Sequence, residues 1–278
     1  MNPPELNLGA YFERVGYTGG TSPCQETLHG LHQAHTLSIP FENLDVYYNK
    51  IISLDPLSLF KKIVTLGRGG YCFEMNGLFA AVLETLGFKV TPLLARVAVD
   101  FKRTFGPKTH QVLMVETPGH RWIADVGFGK DGIIRPILLD TPEDQYQFSR
   151  TFRLEKDPRF GYILGLLTRE GDRCQYAFTL DPCSEADYLM SNHFTSTFPE
   201  SLFVKQRICT IPTREGRITL TDQHLKIDSK QGRKISLITN EKDFQAKLKQ
   251  YFGLDLPCPI GKKGMPVSIT PATSRARP

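Results

Sequence analysis

Long apolar runs are missing from this 278-residue chain. None approaches the roughly 20 residues that cross a bilayer, so no membrane span is expected. Paired cysteines are missing as well. Cys24, Cys72, Cys174, Cys183, Cys209 and Cys258 are scattered without a CxxC, which excludes zinc-ribbon spacing and offers no disulfide framework. The first residues, Met1-Asn2-Pro3-Pro4-Glu5-Leu6-Asn7, lack a basic n-region and an apolar h-region; no secretory signal is read and the cytoplasm is the expected compartment. Internal repeats are absent. So is a basic stripe with interleaved aromatics: of the net charge of +5, Lys262, Lys263, Arg275 and Arg277 supply +4, leaving +1 for residues 1–259. A near-neutral body with a basic tail argues against nucleic acid as a partner. What remains is an ordinary composition, 40% hydrophobic and 23% charged, long enough for two or three small domains.

The informative stretch is Arg68-Gly69-Gly70-Tyr71-Cys72-Phe73-Glu74-Met75-Asn76-Gly77. Downstream of Cys72, Phe73, Leu78, Phe79, Val82, Leu83 and Leu86 recur at helical spacing up to Gly87, which suits a helix stop. Cys72 is therefore expected in the first turn, where unpaired N–H groups and the positive helix end favour an anion and hence the thiolate. A cysteine that merely fills a core needs no adjacent glycines. Gly69-Gly70 suggest instead a sharp turn open to close approach by a substrate.

The first third reads as helices. Leu8, Tyr11, Phe12 and Val15 mark one, Ser22-Pro23-Cys24-Gln25 offers an N-cap serine, a first-turn proline and a capping-box glutamine for another, and Asp55-Pro56 begins a third. After Gly87 the pattern turns to β. Strands are predicted over 89–101, 110–116, 121–128, 147–154, 160–168 and 175–180, separated by turns such as Thr117-Pro118-Gly119. From about residue 184, strand-like pieces at 203–211, 217–221, 224–227 and 234–238 lead to a helix that Asn240 and Asp243 open and Gly253 ends.

A cysteine nucleophile needs a base and usually a group that orients it. His110 opens a predicted strand after Lys108-Thr109, and Asp125 interrupts the apolar run Trp122-Ile123-Ala124-Asp125-Val126-Gly127. A buried carboxylate requires a cationic or N–H partner, which an imidazolium would supply. On spacing alone a strand-end histidine is most simply exposed. Gly127-Phe128-Gly129-Lys130-Asp131-Gly132 spells GxGxxG, but Ile133-Ile134-Arg135-Pro136 does not start a helix, so a dinucleotide fold is a poor reading. His29, His32 and His35 fan over about a third of a helix without a further ligand, and no metal is expected there. Cys183 and His193 have no matching partner and are read as structural.

The Cys72 stretch through Leu78 resembles the active-site signature of the arylamine N-acetyltransferases. Ile39-Pro40-Phe41-Glu42-Asn43-Leu44-Asp45, Thr109-His110 and Trp122-Ile123-Ala124-Asp125-Val126-Gly127-Phe128-Gly129 match three further motifs, in register from about Leu8 to Leu256. The resemblance implies an α+β, three-domain cysteine-protease-like fold: a helical domain (1–88) carrying Cys72, a β-barrel domain (89–184) carrying His110 and Asp125, an α/β lid (185–258), and a basic flexible tail (259–278). It implies a Cys72, His110, Asp125 triad that passes acetyl from acetyl-CoA, a co-substrate rather than a tightly bound cofactor, to a small aromatic amine or hydrazine. Thr109, Gly127, Phe128, Gly129 and Lys130 are then expected at the CoA, with the loop amides near its pyrophosphate. Phe41, Phe128 and Phe203 are expected to line the acceptor pocket, and Glu42 and Arg68 to form a structural ion pair. The chain lacks the insertion of the animal members and looks like the bacterial ones; monomer and homodimer are both compatible. An amide synthase taking a larger acyl thioester, a non-catalytic CoA-binding relative and a cysteine peptidase are the competing readings.

Overall fold

Asn7 opens the first helix, α1 (Leu8–Val15), by accepting the Ala10 N–H at 3.0 Å, and Gly16 closes it in the left-handed region at φ 68°. The structure, a computed structural model, describes residues 6–100, 103–169 and 171–256. The expected basic tail and Cys258 lie outside the described residues.

Helix α2 (Gln25–Ser38) starts two residues later than Ser22 implies. Cys24 N–H bonds the Ser22 carbonyl at 2.8 Å and Cys24 itself is extended, so Pro23 serves a tight turn and Ser22 caps nothing. A two-residue strand β1 (Phe41–Glu42) and a short helix α3 (Leu44–Tyr47) follow. Asp55 caps α4 (Pro56–Phe60) by accepting the Ser58 N–H at 2.9 Å, as its Asp-Pro signal predicts, and the helix widens into a π-helical turn over Lys61–Thr65. Helix α5 (Cys72–Thr85) is buried on nearly every side, from Cys72 through Leu83. That explains its nearly uniform apolar sequence, since a helix with no solvent face needs no polar stripe.

Eight strands form one antiparallel sheet: β2 (Lys89–Ala98), β3 (Phe105–Thr117), β4 (His120–Ala124), β5 (Ile137–Leu138), β6 (Gln145–Gln147), β7 (Arg150–Asp157), β8 (Gly161–Thr168) and β9 (Gly171–Phe178). Their order is β5-β4-β3-β2-β9-β8-β7-β6, with β5 and β6 as edges. Side chains nearly close this sheet into a barrel. Gln145 on β6 exchanges two hydrogen bonds with the Leu138 backbone on β5, at 2.7 and 3.0 Å. Gln147 accepts the Ile134 and Arg135 N–H groups at 2.8 and 3.0 Å and donates to the Arg135 carbonyl at 2.7 Å. Amide side chains thus replace a backbone ladder across the seam and leave no bare edge there.

Helix α6 (Glu185–Thr197), opened by a Ser184–Asp187 capping box, went unread in the sequence although its S-x-x-D signal is present. The expected strand over 203–211 divides into a helical turn, α7 (Leu202–Lys205), and β10 (Ile208–Pro212). Asn43 causes the division from a distance: its side chain donates to the Phe203 and Gln206 carbonyls at 2.7 and 2.8 Å and accepts the Ile208 N–H at 2.7 Å. β10, β11 (Arg217–Thr221), β12 (His224–Ser229) and β13 (Gly232–Leu237) complete a second sheet, in which β1 pairs with β10. Helix α8 (Glu241–Phe252), capped by Asn240 and ended by Gly253 as read, packs Phe244, Leu248 and Phe252 onto that sheet.

Gln147→Leu keeps the size of the side chain but leaves two backbone N–H groups and a carbonyl unpaired at the barrel seam. We expect a loss of about 3 kcal/mol in urea unfolding; an unchanged midpoint would show that the seam does not hold the sheet closed.

Candidate active site

The site begins at a turn that glycine alone can make. A Cβ on Gly69 would stand 2.0 Å from the Pro40 carbonyl oxygen, and one on Gly70 would stand 2.7 Å from Glu74 Cβ. These two glycines are required by packing of the turn against residues 40–42 and the helix, which corrects the expectation that they clear a path for substrate. A charge network fixes the same turn. Arg68 grips Glu42 Oε1 with Nε and Nη2 at 2.9 and 2.6 Å, and Lys62 Nζ reaches Glu74 at 2.7 Å and Asp45 at 2.8 Å. Glu74 Oε2 accepts the Tyr71 N–H at 3.1 Å, tying the network to the residue before Cys72. The expected Glu42–Arg68 pair is therefore present, within a larger cluster.

Cys72 is the first residue of α5, so its N–H and that of Phe73 have no intrahelical acceptor. The thiol faces β3, donating to the Thr109 carbonyl at 3.8 Å. His110 lies inside β3 rather than at its start. Ala95 pairs with His110 and Arg96 with Lys108, so Thr109 is the extra residue of a β-bulge. Such a bulge bends the strand and re-aims the neighbouring side chain. Asp125 sits just beyond β4, because its backbone N–H leaves the ladder and donates to His32 Nε2 at 3.0 Å.

His110 Nε2 and Asp125 Oδ2 are 2.8 Å apart, both buried. Burial alone would depress the imidazole; the Asp125 charge and hydrogen bond, with a bond and charge from Cys72, outweigh it and raise His110 to about 10. Burial would likewise raise Asp125, but His110, Asn76 and the Gly127 N–H together hold it below the usual carboxylate value. With Nε2 committed to Asp125, Nδ1 is the ring nitrogen left for the sulfur.

Two residues without an assigned role in the sequence reading organise this group. Asn76, one turn after Cys72, donates to Asp125 Oδ1 at 2.9 Å and to the Gln111 carbonyl at 2.6 Å, and accepts the Val126 N–H at 2.9 Å. His32 donates from Nδ1 to the Ile134 carbonyl at 2.9 Å while accepting from Asp125, and burial pushes it down to about 4, so it stays neutral. Its i,i+4 and cross-loop geometry has no local signal. His35 instead bonds the Tyr11 hydroxyl at 2.8 Å and His29 packs edge-on against Trp122; His32 and His35 thus have separate hydrogen-bond partners, although both pack edge-on against Phe79.

A cavity of about 420 Å³ opens over Cys72 and His110. Phe41, Thr109, Gly127, Phe128, Gly129, Lys130 and Phe203, all named from the sequence, line it; Asp125 lies behind the wall. Phe194 of α6 and Phe198 just past its end, stacked with ring centroids 4.7 Å apart, add a wall that the sequence reading missed with the helix itself. A Cβ on Gly127 would lie 2.8 Å from Cys72 Cα, so this glycine lets the loop touch the Cys72 turn. The Gly129 and Lys130 amides donate to the Gly127 and Phe128 carbonyls of the same loop, and Gly129 packs on the Phe41 ring.

The family model described as N-acetyltransferase matches residues 25–260. The arylamine N-acetyltransferase of Escherichia coli strain K12 is 37% identical over 224 residues, 78% of this chain and 77% of that one. That of Mycobacterium tuberculosis is 33% identical over 264 residues, 93% of each. The chain belongs to the arylamine N-acetyltransferase family. Its α+β architecture is that of the family: the Salmonella typhimurium arylamine N-acetyltransferase structure superposes with a TM-score of 0.85 at 33% identity, covering 93% of this chain and 94% of that one. The Mycobacterium marinum enzyme in complex with CoA superposes at 0.83 and 32% identity, covering 90% and 93%.

His110 provides a pH test of the pair in this family member. Its folded value near 10 lies above the ordinary value of about 6.5. The stability from this pairing is therefore fully present below about pH 6.5 and is lost as pH rises toward 10. Asp125→Asn removes the compensating charge while burial remains, so NMR of the His110 ring should place its pKa at or below about 6.5. A value still near 10 would disprove the pairing.

Proposed function

We propose that this chain is an acetyl-CoA:arylamine N-acetyltransferase working through an acetyl-cysteine on Cys72, with His110 as acid and base and Asp125 as the group that orients His110. The reading is supported above all by the buried Cys72–His110–Asp125 arrangement at the floor of a cavity walled by phenylalanines. For reaction, Cys72 passes its proton to His110, giving a thiolate beside an imidazolium. The thiolate attacks the thioester carbonyl of acetyl-CoA. The oxyanion is met by the unpaired N–H groups at the start of α5, and the intermediate collapses by expelling CoA sulfur, which takes the His110 proton.

The acetylated Cys72 no longer carries charge, so one of the influences that raise His110 disappears. Having given its proton to the CoA sulfur, His110 is neutral and a usable base: it accepts a proton from the amine as the amine nitrogen attacks the acetyl carbonyl. Collapse releases the N-acetylated product and returns Cys72 to thiolate beside imidazolium. Splitting the transfer this way replaces one high barrier by two lower ones.

Thr109, Gly127, Phe128, Gly129 and Lys130 are assigned to the CoA side of the cavity, and Phe41, Phe128 and Phe203 to the acceptor. Flat aromatic amines and hydrazines gain from ring contacts and desolvation there. The loop amides at Gly129 and Lys130 would meet a pyrophosphate only after giving up their own loop carbonyls; a bound CoA therefore reshapes this loop or uses Lys130 and Thr109 side chains. The division into a helical domain at 1–88, a barrel at 89–184 and a lid at 185–258, with the site at the junction of the first two, is part of the same proposal, as is action on foreign amines in the cytoplasm.

Intact-protein mass spectrometry after incubation with acetyl-CoA alone tests the mechanism. The wild type should gain one acetyl group and lose it on addition of an arylamine, Cys72→Ala should gain none, and His110→Ala should lower kcat/KM by about 10³-fold or more. An unmodified wild type would reject the acetyl-cysteine route and bring forward a larger acyl donor.

A further inference from the structure

Behind the 127–132 loop lies a second, smaller cavity of about 20 Å³, room for one water-sized group, whose walls include Asp125, Phe128, Gly129, Ile133, Thr210 and Arg217. Arg217 opens β11 and is only 9% exposed. Its Nη1 donates to Thr210 Oγ1 at 3.1 Å, while its buried Nε has no protein acceptor. Arg150 stands close enough to act on it electrostatically, and the Arg150 Nη1 is also buried without a protein acceptor.

The carboxylates around Arg217 are already held. Asp131 accepts from Arg150 Nη2 at 2.9 Å, and Asp228, opposite Arg217 across the β11–β12 ladder, accepts from Arg233 Nε at 2.5 Å. Asp125 has its oxygens on His110, Asn76 and Gly127. Three guanidiniums, Arg150, Arg217 and Arg233, thus face two carboxylates, Asp131 and Asp228, with one positive charge in excess. Burial, then the charge of Arg150, pulls Arg217 down to about 9, so it remains a cation at neutral pH. Asp131 and Asp228 act favourably on Arg217, but each is already paired with another guanidinium, so the buried cation is only partly compensated, and a water molecule accepts a hydrogen bond without adding charge.

We propose that this cavity binds one monovalent, halide-sized anion, with the Arg217 guanidinium as its principal donor. Chloride has the size and charge; phosphate is too large for the space. Because Phe128 and Gly129 also wall the main cavity, the bound ion braces from behind the loop that closes over Cys72.

The test compares thermal unfolding of the full chain in sodium chloride or bromide with sodium gluconate at equal ionic strength, gluconate being too large to enter. A saturable, halide-specific rise of about 2–4 °C is expected in the wild type and none in Arg217→Met. Crystals of the wild type grown in bromide give a second readout that needs no variant: an anomalous peak within hydrogen-bonding distance of Arg217. Superimposed halide and gluconate curves would overturn the site, and a bromide peak there without any halide-specific stabilisation would show an adventitious ion only.

Discussion

A carboxylate taken out of water stays charged only if the protein surrounds it with donors, and the site of this protein is assembled around that requirement at Asp125. Its two oxygens collect His110, Asn76 and the Gly127 N–H, and its backbone N–H reaches His32. Those four partners come from β3, α5, the glycine loop and α2. Satisfying one buried charge therefore fixes the relative positions of the helices, the barrel and the loop above Cys72. Asn76 is the hinge of the arrangement, since a single amide joins the Cys72 helix, the His110 strand and the Asp125 loop.

A second charged cluster holds the Cys72 turn from the other side. Glu42 and Asp45 face Arg68 and Lys62, and Glu74 carries the constraint into the first turn of α5. Burial raises Glu74 despite the pull of Lys62, whereas Asp45, less buried and facing both cations, is driven far down. Desolvation is the largest single influence at both carboxylates; at Asp45 the combined pull of Lys62, Arg68 and Lys50 outweighs it, and at Glu74 the pull of Lys62 does not. Breaking one partner of such a buried group leaves the other uncompensated, which costs more than any exposed pair contributes.

Local features of the chain were readable where the chemistry is local. Asp55-Pro56, Asn240 through Gly253 and the glycine-flanked start of α5 lie where their caps and stops predict. Expectations failed where a distant group overrides the neighbours. Ser22 lost its cap to a turn at Pro23, and the apparent strand at 203–211 was divided by the side chain of Asn43 more than 150 residues away. The apolar run through Asp125 stops being a strand because its N–H goes to His32. Helix α6 was missed since its exposed Leu189, Met190 and Phe194 give it no clean apolar face.

By itself the sequence determined the type of chemistry available: a cysteine at a helix start after a glycine turn, a histidine and an aspartate in later strand-like segments, and phenylalanines in motifs that match one family. Those are properties of short segments, encoded by propensity, capping and residue type. Only the tertiary structure decided that Thr109 forms a bulge beside His110, that Gly69, Gly70 and Gly127 serve close backbone contacts, and that His32 and Asn76 hold Asp125. It also decided the charge imbalance around Arg217. Each depends on which groups meet when water is excluded, and desolvation makes such meetings obligatory without leaving a mark on the neighbouring sequence.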